Sequence, residues 1–272
     1  MKINFAFELE QSTARAMKNL EGFSLASGRL LEAFEGATVS LWANQPMAEW
    51  LPRAADAVQP KNFIPFIKLA DNRAARLAVN MNDAVGWAEL QRTIEQYLSG
   101  FPVIGLDCET AIKAYVASTY ELRQAELAIP KTAPRKKVPT VILYHPSWPT
   151  SHPKLERQAR LLLRFATPNV QLTDDRFAYP GADSYWRKLG GITLDYLDTF
   201  RGQKFTPERW KMFFFQTASD GTWTHWQPEA IHQAIGYARL NDDNALIYLG
   251  SKGIPWIDMA KALVKAWKGG AS

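Results

Sequence analysis

The chain has 272 residues, of which 47% are hydrophobic and 22% charged, which is an ordinary globular composition. Its formal net charge of +5 and its pI of about 9.2 favour anionic partners. The single cysteine, Cys108, excludes a disulfide within the chain, and the four histidines lack the spacing of a zinc site, so neither a metal nor another cofactor is predicted.

Eight short segments that are rich in β-branched and aromatic residues are predicted to be strands. They are Ile3–Leu9, Thr38–Trp42, Phe63–Leu69, Val103–Asp107, Thr140–Tyr144, Val170–Thr173, Lys211–Gln216 and Ala245–Leu249. Several of them carry apolar side chains on consecutive residues, which is typical of strands that are buried on both faces.

Segments with a helical spacing of apolar residues lie between these strands. They are Ser27–Phe34, Trp87–Leu98, Leu155–Phe165, Tyr185–Phe200, Pro228–Leu240 and Ile257–Trp267. Strands that alternate with helices indicate a parallel sheet joined by crossover helices. Eight such units in a chain of this length predict an α/β fold, a single (β/α)8 TIM barrel that spans residues 1–272.

The alternative fold is an open doubly wound sheet, whose usual phosphate-binding motifs are missing here. No GxGxxG follows the first predicted strand, and GxxxxGK[ST] does not occur. The basic, proline-rich segment 129–139 (IPKTAPRKKVP) is predicted to be a surface loop that leads into the fifth strand. A domain boundary in this segment is the alternative.

Polar and aromatic residues cluster where the predicted strands end, and barrels of this type place their chemistry at those ends. The candidate substrate-binding residues are Glu8, Glu10, Trp42, Asp71, Tyr144, His145, Trp148, Gln216 and Trp256. Flat aromatic faces stack well on sugar rings, and the chain contains ten tryptophans. The strand ends therefore indicate a carbohydrate ligand.

The fourth predicted strand runs into two carboxylates, in the sequence FPVIGLDCET. Residues i and i+2 of a strand point to the same side, so Asp107 and Glu109 are expected to face one cavity. Close carboxylates cannot ionise independently, and one of them can then hold the proton that cleavage of a glycosidic bond requires. Glu109 is the predicted acid, and Asp107, Asp174 or Asp175 is its predicted partner. The alternative is an ion pair with Lys68 or an arginine, or a helix cap.

The segment VIGLDCE resembles the fourth-strand motif of the glycoside hydrolase family 25 lysozymes, in which a strand ends in Asp-x-Glu. TVILYHPSW and MFFFQTASDGT are similar to two further strands of that family. The resemblance implies a glycosidase barrel in which Glu109 is the proton donor, Asp107 is its acidic neighbour, and Asp174 or Asp175 is the acid of the sixth strand. The first strand departs from the family pattern, because it reads FAFELEQ where the family has an aspartate.

The chitinase-type barrels of family 18 are a second resemblance, since they also end their fourth strand in Asp-x-Glu. Their fuller motif has two more aspartates upstream. Gly105 and Pro102 occupy those places in this chain.

The predicted function is that of a glycoside hydrolase that cleaves a polysaccharide, such as peptidoglycan or another cell-surface glycan, by carboxylate general acid catalysis. The alternative is a non-catalytic carbohydrate-binding TIM barrel, which Gln216 favours because many barrel glycosidases carry a carboxylate on strand seven. The predicted partner is a polysaccharide or oligosaccharide. Nucleic acid is not predicted, because the basic loop Lys131–Lys137 comes without any nucleic-acid-binding motif.

The N-terminal sequence MKINFAFELEQ lacks the apolar stretch of a signal peptide, and no segment approaches eighteen consecutive apolar residues. The expectation is a protein without a membrane span that is cytoplasmic as synthesised, with release by lysis or non-classical export. The sequence leaves the oligomeric state open.

Overall fold

The computed structural model describes residues 1–9, 13–68, 92–107, 140–144, 170–174, 178–182 and 205–270. The predicted helices Leu155–Phe165 and Tyr185–Phe200, the first five residues of Trp87–Leu98 and the basic loop 129–139 lie outside the described residues.

Eight strands form one parallel sheet in which each strand pairs with the next along the chain and the last pairs with the first. The strands are β1 (Ile3–Glu8), β2 (Thr38–Asn44), β3 (Phe63–Lys68), β4 (Val103–Asp107), β5 (Thr140–Tyr144), β6 (Val170–Asp174), β7 (Phe205–Thr217) and β8 (Asn244–Ser251). All eight predicted strands are confirmed. The result is an α/β fold with a curled parallel sheet whose carboxyl ends share one rim.

Four α-helices are described, and they are α1 (Thr13–Ala33), α2 (Trp50–Val58), α3 (Ile231–Leu240) and α4 (Trp256–Gly269). Short 3-10 turns cover Gln45–Met47, Pro60–Asn62 and Pro228–Ala230, and a π-helical turn covers Ile94–Leu98. The sequence pattern predicted only the end of α1 and none of α2. Pro52 argues against a helix in the sequence, because proline lacks the N–H that a helix interior needs. In the structure Pro52 lies in the first turn of α2, where that N–H would have no helical partner.

Alternate residues of the strands separate the core into two layers. On β1, Phe5 and Phe7 point toward the helices and pack edge to face against Phe34 and Phe23, at centroid distances of 4.8 and 5.3 Å. Ala6 points into the sheet's interior and joins the inner cluster. The members of the inner cluster are Ala6, Trp42, Ile64, Phe66, Ile142, Tyr144, Trp210, Met212 and Leu246. Burying each large side chain contributes about 1.5–3 kcal/mol.

The amino ends of the strands close around polar side chains that satisfy one another. Ser40 Oγ donates to Asn4 Oδ1 at 2.7 Å, and Asn4 Nδ2 donates to Thr38 Oγ1 at 2.9 Å. Trp210 Nε1 donates to Gln171 Oε1 at 2.8 Å. These buried groups have their partners, so this end of the sheet is structural.

Lys211 forms a buried ion pair, with Nζ at 3.6 Å from Asp243 Oδ2 and only 1% of the side chain exposed. Lys211→Met should lower the free energy of unfolding by about 3–5 kcal/mol, because the carboxylate of Asp243 stays buried after its ammonium partner is removed. Urea denaturation measures this change. Lys261→Met is the matched control, since Lys261 pairs with Asp258 at the surface and its loss should change stability by less than about 1 kcal/mol. Equal effects of the two substitutions would contradict the expectation.

Candidate active site

Four polar side chains from different strands meet at the carboxyl rim of the sheet. Glu8 ends β1, Lys68 ends β3, Asp107 ends β4 and Tyr248 lies near the end of β8. Lys68 is directly opposite Asp107 in the register, and Tyr248 is opposite Ala6, two residues before Glu8. We call these four residues the Glu8 cluster.

Both carboxylate oxygens of Glu8 accept hydrogen bonds. Lys68 Nζ donates to Oε1 at 2.5 Å, and the Tyr248 hydroxyl donates to Oε2. The Glu8 side chain is nevertheless 40% exposed, and that of Lys68 is 24% exposed. Glu8 is thus a carboxylate that two neighbours hold in position while solvent still reaches it.

Tyr248 connects the two carboxylates of the Glu8 cluster. Burial raises the pKa of Tyr248 well above its ordinary value, and the charge of Glu8, the hydrogen bond to Glu8 and the charge of Asp107 raise it further. The phenol therefore stays protonated at neutral pH and remains a donor. The charge of Asp107 thus acts on the same hydroxyl that Glu8 binds. Asp107 is only 5% exposed.

The rings of Trp42, Phe66 and Tyr144 lie under the Glu8 cluster, and we call them the aromatic floor. Trp42 stacks on Phe66 with ring centroids 4.5 Å apart and an interplanar angle of 10°. Its ring also approaches Tyr144 at 5.7 Å and Tyr248 at 5.4 Å. Trp42 is 2% exposed and Tyr144 3%, so these two predicted substrate-binding residues are buried in the core. A sugar cannot stack on the covered face of Trp42, and both residues support the site from below.

An open cleft of about 950 Å³ adjoins the Glu8 cluster on the side of β1, β7 and β8. Its lining includes three of the predicted site residues, Glu8, Gln216 and Trp256. Trp256 is the first residue of α4, is half-buried, and rests edge-on against Phe7 at 5.3 Å. The structure therefore brings a carboxylate, an amide and an indole together in one cleft.

The loop after β8, which lines the cleft, is in close contact with the loop after β7. A Cβ atom on Gly253 would lie 2.4 Å from the backbone nitrogen of Gly221 and 2.5 Å from the carbonyl oxygen of Ala218. Gly221 itself has a φ of +85°, which favours glycine. The contact between the two loops depends on glycine at both points.

His225 lies in the loop after β7, with Nδ1 2.9 Å from Thr224 Oγ1 and its ring edge-on to Tyr179 and Phe214. Burial lowers the pKa of His225 from its usual 6.5. As the pH falls through 6.5, the imidazole of His225 takes up a proton in the unfolded chain before it does so in the folded protein. The free energy of unfolding therefore decreases on acidification. Between pH 7.5 and 5.5, urea denaturation should show a larger loss for the native protein than for His225→Gln. An identical loss in the two proteins would contradict this expectation.

Several predicted site residues are not described by the structure. Glu109, Asp175, Glu10, Asp71, His145 and Trp148 lie outside the described residues. Asp174 ends β6 and pairs with Lys211 in the register, but its side chain is not described. Their roles remain predictions.

Two residues of the Glu8 cluster, Lys68 and Tyr248, were not among the predicted site residues. Each is a polar residue near the end of an otherwise apolar strand. Lys68 follows the inward residue Phe66 by two positions, and Tyr248 follows the inward residue Leu246 by two positions. This strand periodicity is the signal that places them at the rim.

Within the described part of the chain, no group of three or more His, Cys, Asp or Glu side chains is placed to hold a metal ion. None of the described helices is long and apolar enough to cross a membrane.

No known protein family matches this sequence, and no curated protein does so either. Among solved structures, the chain is similar to the AP endonuclease of the AsfvAP:AG crystal structure, with 12% identity, a TM-score of 0.45, and coverage of 100% of this chain and 98% of the other. It is also similar to a putative deoxyribose-phosphate aldolase from Toxoplasma gondii ME49, with 7% identity, a TM-score of 0.45, and coverage of 98% and 92%.

An endo-beta-N-acetylglucosaminidase from Cordyceps militaris is a further neighbour, with 11% identity, a TM-score of 0.43, and coverage of 97% and 90%. All three are enzymes with TIM-barrel-like folds. These distant likenesses assign neither a family nor an activity to the chain.

Proposed function

We propose that the chain is a glycoside hydrolase, built as a complete (β/α)8 barrel over residues 1–272, that cleaves a polysaccharide at the carboxyl rim of its strands. The observation that carries the proposal is the carboxylate of Glu8, which Lys68 and Tyr248 hold in position beside an open cleft at the carboxyl rim. Cleavage of a glycosidic bond requires two carboxyl groups, one as acid and the other as anion.

In the proposed reaction, Glu109 donates its proton to the leaving glycosidic oxygen, as the family 25 resemblance implies. A second, ionised carboxylate takes the proton of the attacking water or stabilises the positive charge that develops on the sugar. Asp107, Asp174 and Asp175 were the predicted candidates for this role. Glu8 suits it better than Asp107, because its side chain is 40% exposed, whereas Asp107 is 5% exposed and has little access to water.

Tyr248 and Lys68 position the carboxylate of Glu8 in this scheme. Their hydrogen bonds fix the carboxylate and stabilise its charge while the substrate binds. Tyr248 can keep this role at neutral pH, because its raised pKa keeps the hydroxyl protonated. Gln216 and Trp256, which line the adjoining cleft, are the proposed substrate contacts.

The second candidate function is a barrel that binds carbohydrate without cleaving it. The ion pair between Lys68 and Glu8 favours this alternative, because it engages the carboxylate that the reaction needs. Gln216 on β7 also favours it, since that position holds an amide and not a carboxylate.

The two functions are separated by incubating the purified protein with bacterial cell wall and a panel of polysaccharides. New reducing ends and retardation of the protein in gels that contain each polymer are measured in parallel. A hydrolase releases reducing ends from at least one polymer. Retardation without any product after long incubation would support the binding protein, and neither product nor retardation would contradict both functions.

A further inference from the structure

The cleft beside the Glu8 cluster carries hydrogen-bond donors that lack acceptors. Lys18 of α1 and Lys252 of the loop after β8 both line it and are both exposed. Across the residues that the structure describes, neither ammonium forms an ion pair or a hydrogen bond. The other lysine of this region, Lys68, is bound to Glu8.

Asn19 also lines the cleft, but its Nδ2 atom is buried beneath the surface. The exposed donors of the cleft are therefore those of Lys18 and Lys252.

Among the described lining residues of the cleft, positive charges outnumber negative ones. Glu8 is the one acidic residue among its described lining residues, and both of its oxygens already accept hydrogen bonds from Lys68 and Tyr248. Lys18 and Lys252 therefore remain uncompensated. A ligand that fits this cleft brings negative charge and acceptor oxygens.

The remaining lining fits a sugar. The half-buried indole of Trp256 lies in the same cleft, held against Phe7, and offers an apolar surface to a sugar ring. The cleft volume of about 950 Å³ is at the upper end of the range of ligand sites, about 300–1,000 Å³, and suits an oligosaccharide.

We infer that this cleft is a binding subsite for an acidic sugar unit, whose carboxylate pairs with Lys18 and Lys252 while its ring lies against Trp256. The inference rests on the proposed function, which it deepens by naming the substrate class as an acidic polysaccharide. The sugar in this subsite is continuous with the chain segment at Glu8, because Glu8 and Tyr248 line the same cleft.

Affinity electrophoresis tests the subsite without requiring hydrolysis. Native gels contain polygalacturonate, hyaluronan, or polygalacturonate whose carboxylates have been reduced to alcohols. Both acidic polymers should be tested, and at least one should retard the native protein strongly. Lys18→Met/Lys252→Met should weaken that retardation at least about tenfold in apparent Kd, because two charged contacts are lost. Raising the salt from 50 to 300 mM should also weaken it, because these exposed charges are screened.

Lys61→Met/Lys268→Met is the matched control, since both of these lysines are exposed and lie outside the cleft lining. It should bind as the native protein does. The subsite is refuted if neither acidic polymer retards the native protein, if the reduced polymer retards it equally, or if the cleft variant binds as the control does. Retardation of a single-stranded DNA that depends on the two cleft lysines, without retardation by either acidic polymer, would also refute it and assign the cleft to nucleic acid.

These outcomes separate the subsite from the proposed function. Binding that depends on the two lysines, with no reducing ends released from any polymer, keeps the subsite and refutes the hydrolase. Hydrolysis of a polysaccharide that is unchanged in Lys18→Met/Lys252→Met, with no lysine-dependent binding, keeps the hydrolase and refutes the subsite.

Discussion

Glu109→Gln should lower the turnover number for polysaccharide hydrolysis by about 10²–10⁴-fold, because the glutamine amide is too weak an acid to protonate the leaving oxygen. The change is isosteric, so the melting temperature should stay close to that of the native protein. The initial rate of release of reducing ends, measured at saturating substrate, gives the effect. The basic limb of the pH–rate profile should also disappear, since that limb reports the loss of the acid's proton.

Glu35→Gln is the matched control for this experiment. Glu35 is exposed just after α1 and lies outside the cleft lining, so its substitution should leave the rate unchanged. Full activity in Glu109→Gln would remove Glu109 from the role of the acid. A rate that falls together with the melting temperature would assign the residue to the fold instead.

Gly105→Ala should lower the free energy of unfolding by about 1–3 kcal/mol or more. A Cβ atom at this position would lie 2.2 Å from two carbon atoms of the Phe66 ring. That ring cannot turn aside easily, because it is stacked on Trp42 in the floor of the site. Urea denaturation measures the loss of stability, and activity should fall as well, because the floor supports the Glu8 cluster.

Gly28→Ala is the matched control, because no atom lies within 4 Å of a Cβ at that position of α1. Alanine is favoured over glycine in a helix, so this variant should be as stable as the native protein or up to about 1 kcal/mol more stable. Gly105→Ala/Phe66→Leu should recover part of the stability that Gly105→Ala loses. Native stability in Gly105→Ala would contradict the close contact.

The contact at Gly105 also explains a departure from the family 18 pattern. That pattern has an aspartate where this chain has Gly105, and the Phe66 ring occupies the space that an aspartate side chain would need. Position 105 of this chain therefore has no room for an aspartate side chain.

The strands were predictable from the sequence because their apolar runs are short and bounded by turns. β4 and β5 have the predicted bounds. β7 begins at Phe205, six residues earlier than predicted. The prediction was too short because Pro207 usually interrupts a strand. Pro207 lies where the pairing of β6 with β7 shifts register, and there its missing N–H interrupts no regular ladder.

The candidate site was predictable only in part. The sequence marked Glu8 and Asp107 as strand ends, but the bond between Tyr248 and Glu8 depends on the pairing of β8 with β1, which are more than 230 residues apart. Trp42 was predicted to contact a sugar, but its stacking partner Phe66 comes from the next strand. Such contacts depend on the closure of the sheet, and no local pattern encodes them.

The role of the Glu8 cluster is tested most directly by the activity of Glu8→Ala with and without added formate. We expect the rate of release of reducing ends to fall by at least about 10²-fold, and formate, which can occupy the place of the lost carboxylate, to restore part of it. Glu35→Ala should keep the native rate in both conditions. Native activity in Glu8→Ala without formate would contradict the account, because the cluster would then take no part in the reaction.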